Sequence, residues 1–194
     1  MKSIHWVVFG AMVVAQLAVP FHMIATHEQT LQDGTAYKFR CGPVDPYDYF
    51  RGRYVALSFL DTTIDHWEGE KFKKGDPAYA LLDVDEEGFA KILDVTSAPP
   101  RSGDYLEVGA VAYSYGNSPL RVSLPFDKYF MNEFDAPAAE IAYRDQSRTE
   151  EGAHVVVRVR DGRGALDGLF IGDMPVEEYL RREVATPADT TEVP

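Results

Sequence analysis

The residues from Ile4 to Ala25 form an apolar run that contains no Asp, Glu, Lys or Arg. As an α-helix, about 22 residues would be about 33 Å long, which is enough for a bilayer core of about 30 Å. Because no polar stripe marks an outward face, the run predicts a membrane-spanning helix rather than a buried core helix. His5 and Trp6 suit a membrane interface, and Gln16 lies at mid-depth, where an amide favours contact with another helix.

The apolar run could be retained as an anchor or removed as a secretory signal. Its basic flank consists of the amino terminus and Lys2, and no small-x-small pair marks a cleavage site near Ala18 or Ala25. The sequence therefore favours a retained anchor, with a cleaved signal peptide as the alternative. Lys2 precedes the run, whereas Glu28 and Asp33 follow it, so the positive-inside rule predicts a cytoplasmic N-terminus and an extracytoplasmic domain.

Beyond the anchor, the chain alternates short β patterns with turn signals. We predict an anchor with its polar connector over 1–30, one β domain over 31–185 and a frayed tail over 186–194. The predicted strands cover 37–41, 53–60, 78–84, 89–95, 105–115, 120–124, 154–160 and 165–171, and the predicted helices cover 136–146, with Asp135 as its N-cap, and 175–182. The fold expected is mainly β, an antiparallel barrel or sandwich with one or two short helices, preceded by one N-terminal transmembrane helix.

The charge and the cysteine content exclude several classes of function. A formal net charge of −12 repels phosphate backbones, so we expect no nucleic-acid partner. The only cysteine, Cys41, leaves no intramolecular disulfide and no Cys-rich zinc site. Cys41 is expected to be a small buried hydrophobe on a strand, with a reactive thiol as the alternative.

The segment PVDPYDYFRGRYVALSF, residues 43–59, joins a Pro/Asp turn to an apolar strand. It resembles the signature of the bacterial GDYXXLXY family, with Gly52, Tyr54 and Leu57 matching and with Arg53 and Phe59 replacing the family's Asp and Tyr. The candidate motif residues, structural or ligand-binding, are Pro43, Asp45, Pro46, Asp48, Arg51, Gly52, Arg53, Tyr54, Leu57 and Phe59. A catalytic carboxylate could not survive replacement by Arg53, so either the family does not use it or this chain has lost it.

Two further segments extend the resemblance over nearly the whole chain. Residues 127–130 with Glu133 are similar to the family's aromatic segment, and residues 158–171 are similar to its C-terminal hairpin. The resemblance implies a membrane-anchored bacterial protein of unknown function, with a multi-span membrane protein as its partner. Residues 103–105 also spell GDY, but the following residues do not continue the family spacing.

The sequence contains no established catalytic motif, and we predict no catalytic residue and no cofactor. There is no G-x-S-x-G elbow, H-E-x-x-H helix, phosphate-binding glycine loop or dinucleotide fingerprint. The weak candidates for a hard-cation site are Asp45, Asp48, Asp61, Asp65 and His66. Their spacing fits no calcium loop, and turn formation is the preferred role of these carboxylates. His154 opens a valine-rich strand on its outward face and is expected to be solvated.

The sequence leaves three functions open. The first is a tethered module on the outer side of the bacterial inner membrane that binds an integral membrane protein. The second is an exported hydrolase or cation-dependent enzyme that uses the region of Asp45, Asp48, Asp61 and His66. The third is a β-barrel that binds an apolar ligand between Phe and Tyr side chains.

Overall fold

The described part of the chain contains three α-helices and eleven strands and covers residues 2–43, 54–65, 67–112, 119–149 and 152–185 of this computed structural model. The helices are α1 (Lys2–Asp33), α2 (Ala136–Gln146) and α3 (Val176–Ala185). The strands are β1 (Thr35–Cys41), β2 (Tyr54–Ala56), β3 (Thr63–Ile64), β4 (Ala78–Val84), β5 (Ala90–Thr96), β6 (Tyr105–Ala112), β7 (Leu120–Ser123), β8 (Lys128–Phe130), β9 (Ala153–Arg160), β10 (Arg163–Ile171) and β11 (Met174–Pro175).

The strands form two larger sheets and one two-stranded ribbon, and every strand pair is antiparallel. The first sheet has the order β1-β9-β10-β11, the second has the order β3-β7-β6-β4-β5, and β2 pairs with β8. Isolated bridges join the two sheets at Lys38–Phe89 and at Leu106–Gly162. The predicted fold class, mainly antiparallel β with a few helices, is confirmed.

The core consists of the inward faces of both larger sheets in one continuous cluster. Val155, Val157 and Val159 of β9 are at most 1% exposed, and Leu106 of β6 and Leu120 of β7 are fully buried. Each such side chain contributes about 1.5–3 kcal/mol by leaving water. The period-two pattern of β9 therefore determines which face of the first sheet lies against the second.

Both predicted hairpins are present, and residues with positive φ form their turns. In the β4–β5 turn, the Asp85 carboxylate accepts hydrogen bonds from the backbone N–H groups of Glu87 at 3.0 Å and Phe89 at 2.8 Å. In the β9–β10 turn, Asp161 and Gly162 have φ values of 49° and 78°. Two consecutive positive φ values are typical of a two-residue hairpin turn, so β10 begins earlier than the sequence predicts.

The signature strand differs from its prediction, because only Tyr54–Ala56 is a regular strand. The chain changes partner after β2. The Leu57 N–H donates to the carbonyl of Asp127 at 2.9 Å, and two residues later Phe59 bridges to Cys41. The prediction of one continuous strand over 53–60 is therefore wrong. The predicted faces are right, since Val55 is fully buried and Leu57 is 9% exposed.

Helix α3 ends at Ala185 instead of residue 182, and α1 and α2 also depart from expectation. Helix α2 has the predicted limits, but the side chain of Asp135 makes no capping hydrogen bond. The predicted polar connector continues α1 as helix through Asp33. That helix ends at Gly34, whose N–H donates to the carbonyl of Thr30 at 3.0 Å and where a Cβ would collide with the same carbonyl oxygen. The predicted frayed tail, residues 186–194, lies outside the described residues.

Candidate functional site

The signature residues lie partly inside and partly outside the described structure. Outside it are Asp45, Pro46, Asp48, Arg51, Gly52 and Arg53, for which the predicted roles stay predictions. Tyr54 is half-buried on the face away from the core, and its ring meets Phe130 edge-on at 5.6 Å. The Lys128 ammonium lies 5.3 Å from the centroid of the Tyr54 ring. Phe59 faces the core and packs edge-on against Phe39 at 6.1 Å, as its alternation predicts.

A buried tyrosine of α2 forms hydrogen bonds with the backbone just before the signature segment and near its end. The Tyr143 side chain is 1% exposed, and its hydroxyl donates to the carbonyl of Gly42 at 2.8 Å. The same hydroxyl accepts from the backbone N–H of Ser58 at 3.2 Å, and the Gly42 N–H donates to the Ser58 carbonyl at 2.8 Å. Burial raises the pKa of Tyr143, so the hydroxyl keeps its proton. Sequence reasoning missed this contact. The available signal was one large aromatic among the alanines that share a helix face, Ala136, Ala139 and Ala142.

Cys41 lies next to this hydroxyl and is 2% exposed. Burial raises the pKa of its thiol to about 12. A thiolate is the reactive form of cysteine, so the thiol is unreactive in the folded protein. The expectation of a small buried hydrophobe on a strand is confirmed.

The candidate cation ligands do not form a metal site among the residues described. Asp61, which has a φ of 57°, lies 3.5 Å from the guanidinium of Arg40. Arg40 also pairs with Asp85 and Glu87, each at 2.7 Å. Asp65 is exposed, and Asp45, Asp48 and His66 lie outside the described residues. Over the described ranges, no three His, Cys, Asp or Glu side chains are placed to share an ion.

A cleft of about 640 Å³ opens on the outward face of the first sheet, between β1, the β4–β5 turn and α3. His154, Phe89 and Ile171 contribute its inner surface. The charged side chains that line it are Lys38, Glu87, Asp173, Glu178 and Arg182.

His154 is only 6% exposed, so the prediction of a solvated side chain is wrong. Its ring stacks on Phe170 of β10 with centroids 5.2 Å apart and planes 8° apart. Phe89 meets the other side of the ring edge-on at 5.7 Å. The alternation of β9 places His154 on the outward face correctly. What it could not reveal is that the β4–β5 turn folds Phe89 over that face.

Burial and the neighbouring charges together favour the neutral form of His154. Burial lowers the pKa of its imidazole, the positive charge of Lys38 lowers it further, and Asp173 partly opposes both effects. No hydrogen bond joins the ring to another side chain or to the backbone in the described residues, yet no fully enclosed polar atom is left without a partner there. The ring therefore presents its polar edge to the cleft.

A second groove, of about 750 Å³, lies where α1 meets the domain. His22, Thr26 and Thr30 line one side, while Phe126 and Arg163 line the other. The part of α1 that leads into this groove belongs to a helix long and apolar enough to span a membrane, His5–Asp33. One N-terminal apolar helix of this kind fits a single-pass anchor.

Most of the chain matches the model of a known protein family. The model of the family described as GDYXXLXY protein matches residues 16–169, which include the signature, the aromatic segment and most of the C-terminal hairpin. No curated protein and no solved structure matches significantly. The matched region begins inside α1, ends in β10 and contains His154 and Tyr143, whereas Asp173 and α3 follow it. The chain belongs to the GDYXXLXY family.

Proposed function

We propose that this protein is a retained, single-pass module of the bacterial inner membrane whose β domain lies on the extracytoplasmic side and assembles with an integral membrane protein. The observation that carries the proposal is that α1 is one helix with two environments. In the described residues its apolar N-terminal part is exposed, and its C-terminal part packs on β9 and β10 of the first sheet.

The apolar part of α1 exposes large side chains on all sides. Trp6, Phe21 and Ile24 are 73%, 75% and 69% exposed. Burying one such side chain is worth about 1.5–3 kcal/mol, so a helix of this composition favours lipid or another helix over water.

The end of α1 is attached to the domain by polar contacts and burial. Asp33 pairs with Arg160 of β9 at 2.8 Å, and the guanidinium of Arg158 donates to the Gly34 carbonyl at 3.4 Å. Thr30 is 3% exposed against the sheet. Since no flexible linker separates the helix from β1, a helix held in lipid would also orient the domain. A domain held so close to the bilayer gains a high effective concentration for partners in the same membrane.

Gln16 is the position in the span whose chemistry most favours contact with another helix. Its side chain is an exposed amide at mid-depth. Pro20 lies four residues later and has no N–H to donate to the carbonyl of Gln16. The span therefore offers two polar groups at one position, both of which favour a partner helix over lipid.

Membrane retention is tested first, on native-level protein with a C-terminal epitope. We expect the full-length mass, including Met1 or Lys2 at the N-terminus, in carbonate-washed membranes. Protease added to spheroplasts should digest the domain, whereas protease added outside intact cells should not. A mature chain that lacks the first 20 or so residues would contradict the anchor and leave the domain as a free exported protein.

The partner contact is tested by photo-crosslinking from within the span. A photoreactive residue at position 16 should give a crosslink to one membrane protein, while the same residue at position 14, on the opposite side of the helix, should give much less. Gln16→Leu should release that protein in mild detergent without moving the chain out of the membrane, and Val14→Leu should not. Equal crosslinking to lipid at both positions would contradict assembly through the span.

A further inference from the structure

We propose that the cleft around His154 binds a small zwitterion of the amino-acid or short-peptide class, with the ligand carboxylate at Lys38 and the ligand ammonium at Asp173. This site lies outside the signature segment and outside α1. It goes beyond the tethering function and does not depend on an integral membrane partner.

The charges in the cleft divide into paired and unpaired groups. Glu87 pairs with Arg40 at 2.7 Å, and Arg182 pairs with Glu178 at 3.1 Å, so these groups are already neutralised. Within the described residues, neither Lys38 nor Asp173 forms an ion pair or a side-chain hydrogen bond. Both side chains line the cleft beside His154, and there Lys38 lowers the pKa of the imidazole whereas Asp173 raises it. Among the residues described, a cation and an anion without an ion-pair partner therefore line the same cleft as the buried imidazole.

This combination selects for a ligand that carries both charges. A simple anion would pair with Lys38 but would be repelled by Asp173. A simple amine would pair with Asp173 but would be repelled by Lys38. A zwitterion pairs with both, and charge-assisted hydrogen bonds of this kind are about twice as strong as neutral ones. A cleft that already holds one cation and one anion rejects the singly charged analogues by repulsion as well as by lost contacts.

The remaining features of the cleft suit the body of such a ligand. The neutral imidazole of His154 offers one N–H donor and one acceptor nitrogen. Its position between Phe170 and Phe89 fixes the ring, so the side chain loses little conformational entropy when a ligand binds. Ile171 and Met174 add apolar surface for a side chain. The volume of about 640 Å³ lies within the range of about 300–1,000 Å³ that is typical of small-molecule sites.

The test uses the full chain in detergent and isothermal titration calorimetry. The probes are leucine and the dipeptide leucyl-leucine, each compared with its N-acetylated form and its C-terminal amide. We expect at least one free zwitterion to bind and each blocked form to bind at least about tenfold more weakly. Binding of leucine alone would assign the site to amino acids, and binding of the dipeptide alone would assign it to peptide termini.

Lys38 and Asp173 provide the decisive variants, because both are exposed and neither side chain makes a hydrogen bond or an ion pair in the described residues. Lys38→Met should weaken binding of the free zwitterion about tenfold. It should also abolish the difference in affinity between the free zwitterion and its C-terminal amide. Asp173→Asn should do the same for the N-acetyl group. Lys91→Met, an exposed lysine of β5 outside the cleft, should bind as the unaltered chain does. No heat of binding up to about 10 mM ligand, or unchanged affinity in both cleft variants, would overturn the proposal.

Discussion

Tyr143 and His154 are both buried polar side chains, but their polar atoms are used in opposite ways. The Tyr143 hydroxyl is hydrogen-bonded to the backbone of Gly42 and of Ser58. The His154 ring is held by aromatic contacts, and its polar edge faces an open cleft. A buried polar group that is fully satisfied stabilises the fold, whereas one that faces a cavity is available to a ligand. This difference supports a structural role for Tyr143 and the binding role that we propose for the cleft at His154.

The largest effect that separates the two positions is expected for Tyr143→Phe. Removing the hydroxyl leaves the Gly42 carbonyl and the Ser58 N–H without their partner in a buried place, which costs about 1–3 kcal/mol of unfolding free energy. Urea denaturation followed by tryptophan fluorescence measures the loss. Tyr79→Phe is the matched control, since the Tyr79 ring packs on Tyr105 and its hydroxyl makes no hydrogen bond in the described structure. Equal free energies of unfolding for the two variants would contradict a structural role for the Tyr143 hydroxyl.

Unlike Tyr143→Phe, His154→Phe should not lower the free energy of unfolding. Phenylalanine keeps a ring between Phe170 and Phe89 and removes a buried polar group that has no hydrogen bond to any of the residues described. We expect the free energy of unfolding to stay constant or to rise by up to about 1 kcal/mol. The same urea measurement tests this, and a loss comparable to that of Tyr143→Phe would show that His154 holds the fold together. Ligand binding in the cleft should weaken in this variant.

The stability of the fold in acid should depend on His154. The pKa of folded His154 lies below its ordinary value of about 6.5, so the unfolded chain takes up this proton at a higher pH than the folded chain. The free energy of unfolding should therefore fall as the pH drops through about 6.5 and level off once the folded form is also protonated.

The control for that prediction is His154→Phe, which should lack this part of the pH dependence. Asp85 also contributes acid sensitivity, because hydrogen bonds from the Phe89 N–H and from Arg40 lower its pKa. Its contribution is lost only below the ordinary carboxyl value of about 3.9, which separates the two pH windows. Identical curves for both chains between about pH 7 and pH 5 would contradict a neutral, buried His154.

The comparison also shows what the sequence could and could not predict. The alternation of β9 predicts the buried valines, and Asp161-Gly162 predicts the hairpin, because both signals are local. The partner of Tyr143 is Gly42, which lies 101 positions earlier in the chain. Likewise, Phe89 reaches His154 only because the two larger sheets meet at Lys38–Phe89. Alternation gives the face of a residue, but it does not reveal which distant element covers that face.

The signature segment also shows that a local pattern does not reveal the long-range partners of a strand. Its matching residues identified the family, and the burial of Leu57 follows from the strand pattern. The change of partner after Ala56 depends on β8 and β1 together, which no pattern within residues 43–59 contains. The roles of Asp45, Asp48 and Arg53 stay predictions.

The smallest expected effect is on the pKa of His154 itself, and it tests the cleft most directly. Lys38→Met should raise that pKa, because a nearby positive charge is removed, and Asp173→Asn should lower it, because a nearby negative charge is removed. NMR titration of the five histidine rings measures both shifts, with the His154 signal assigned by its loss in His154→Phe. Lys91→Met should leave the titration unchanged. Opposite signs are the informative outcome, because a general loosening of the cleft would hydrate the ring and raise the pKa in both variants. Only charges that face the imidazole directly can move its pKa in two directions without changing its burial.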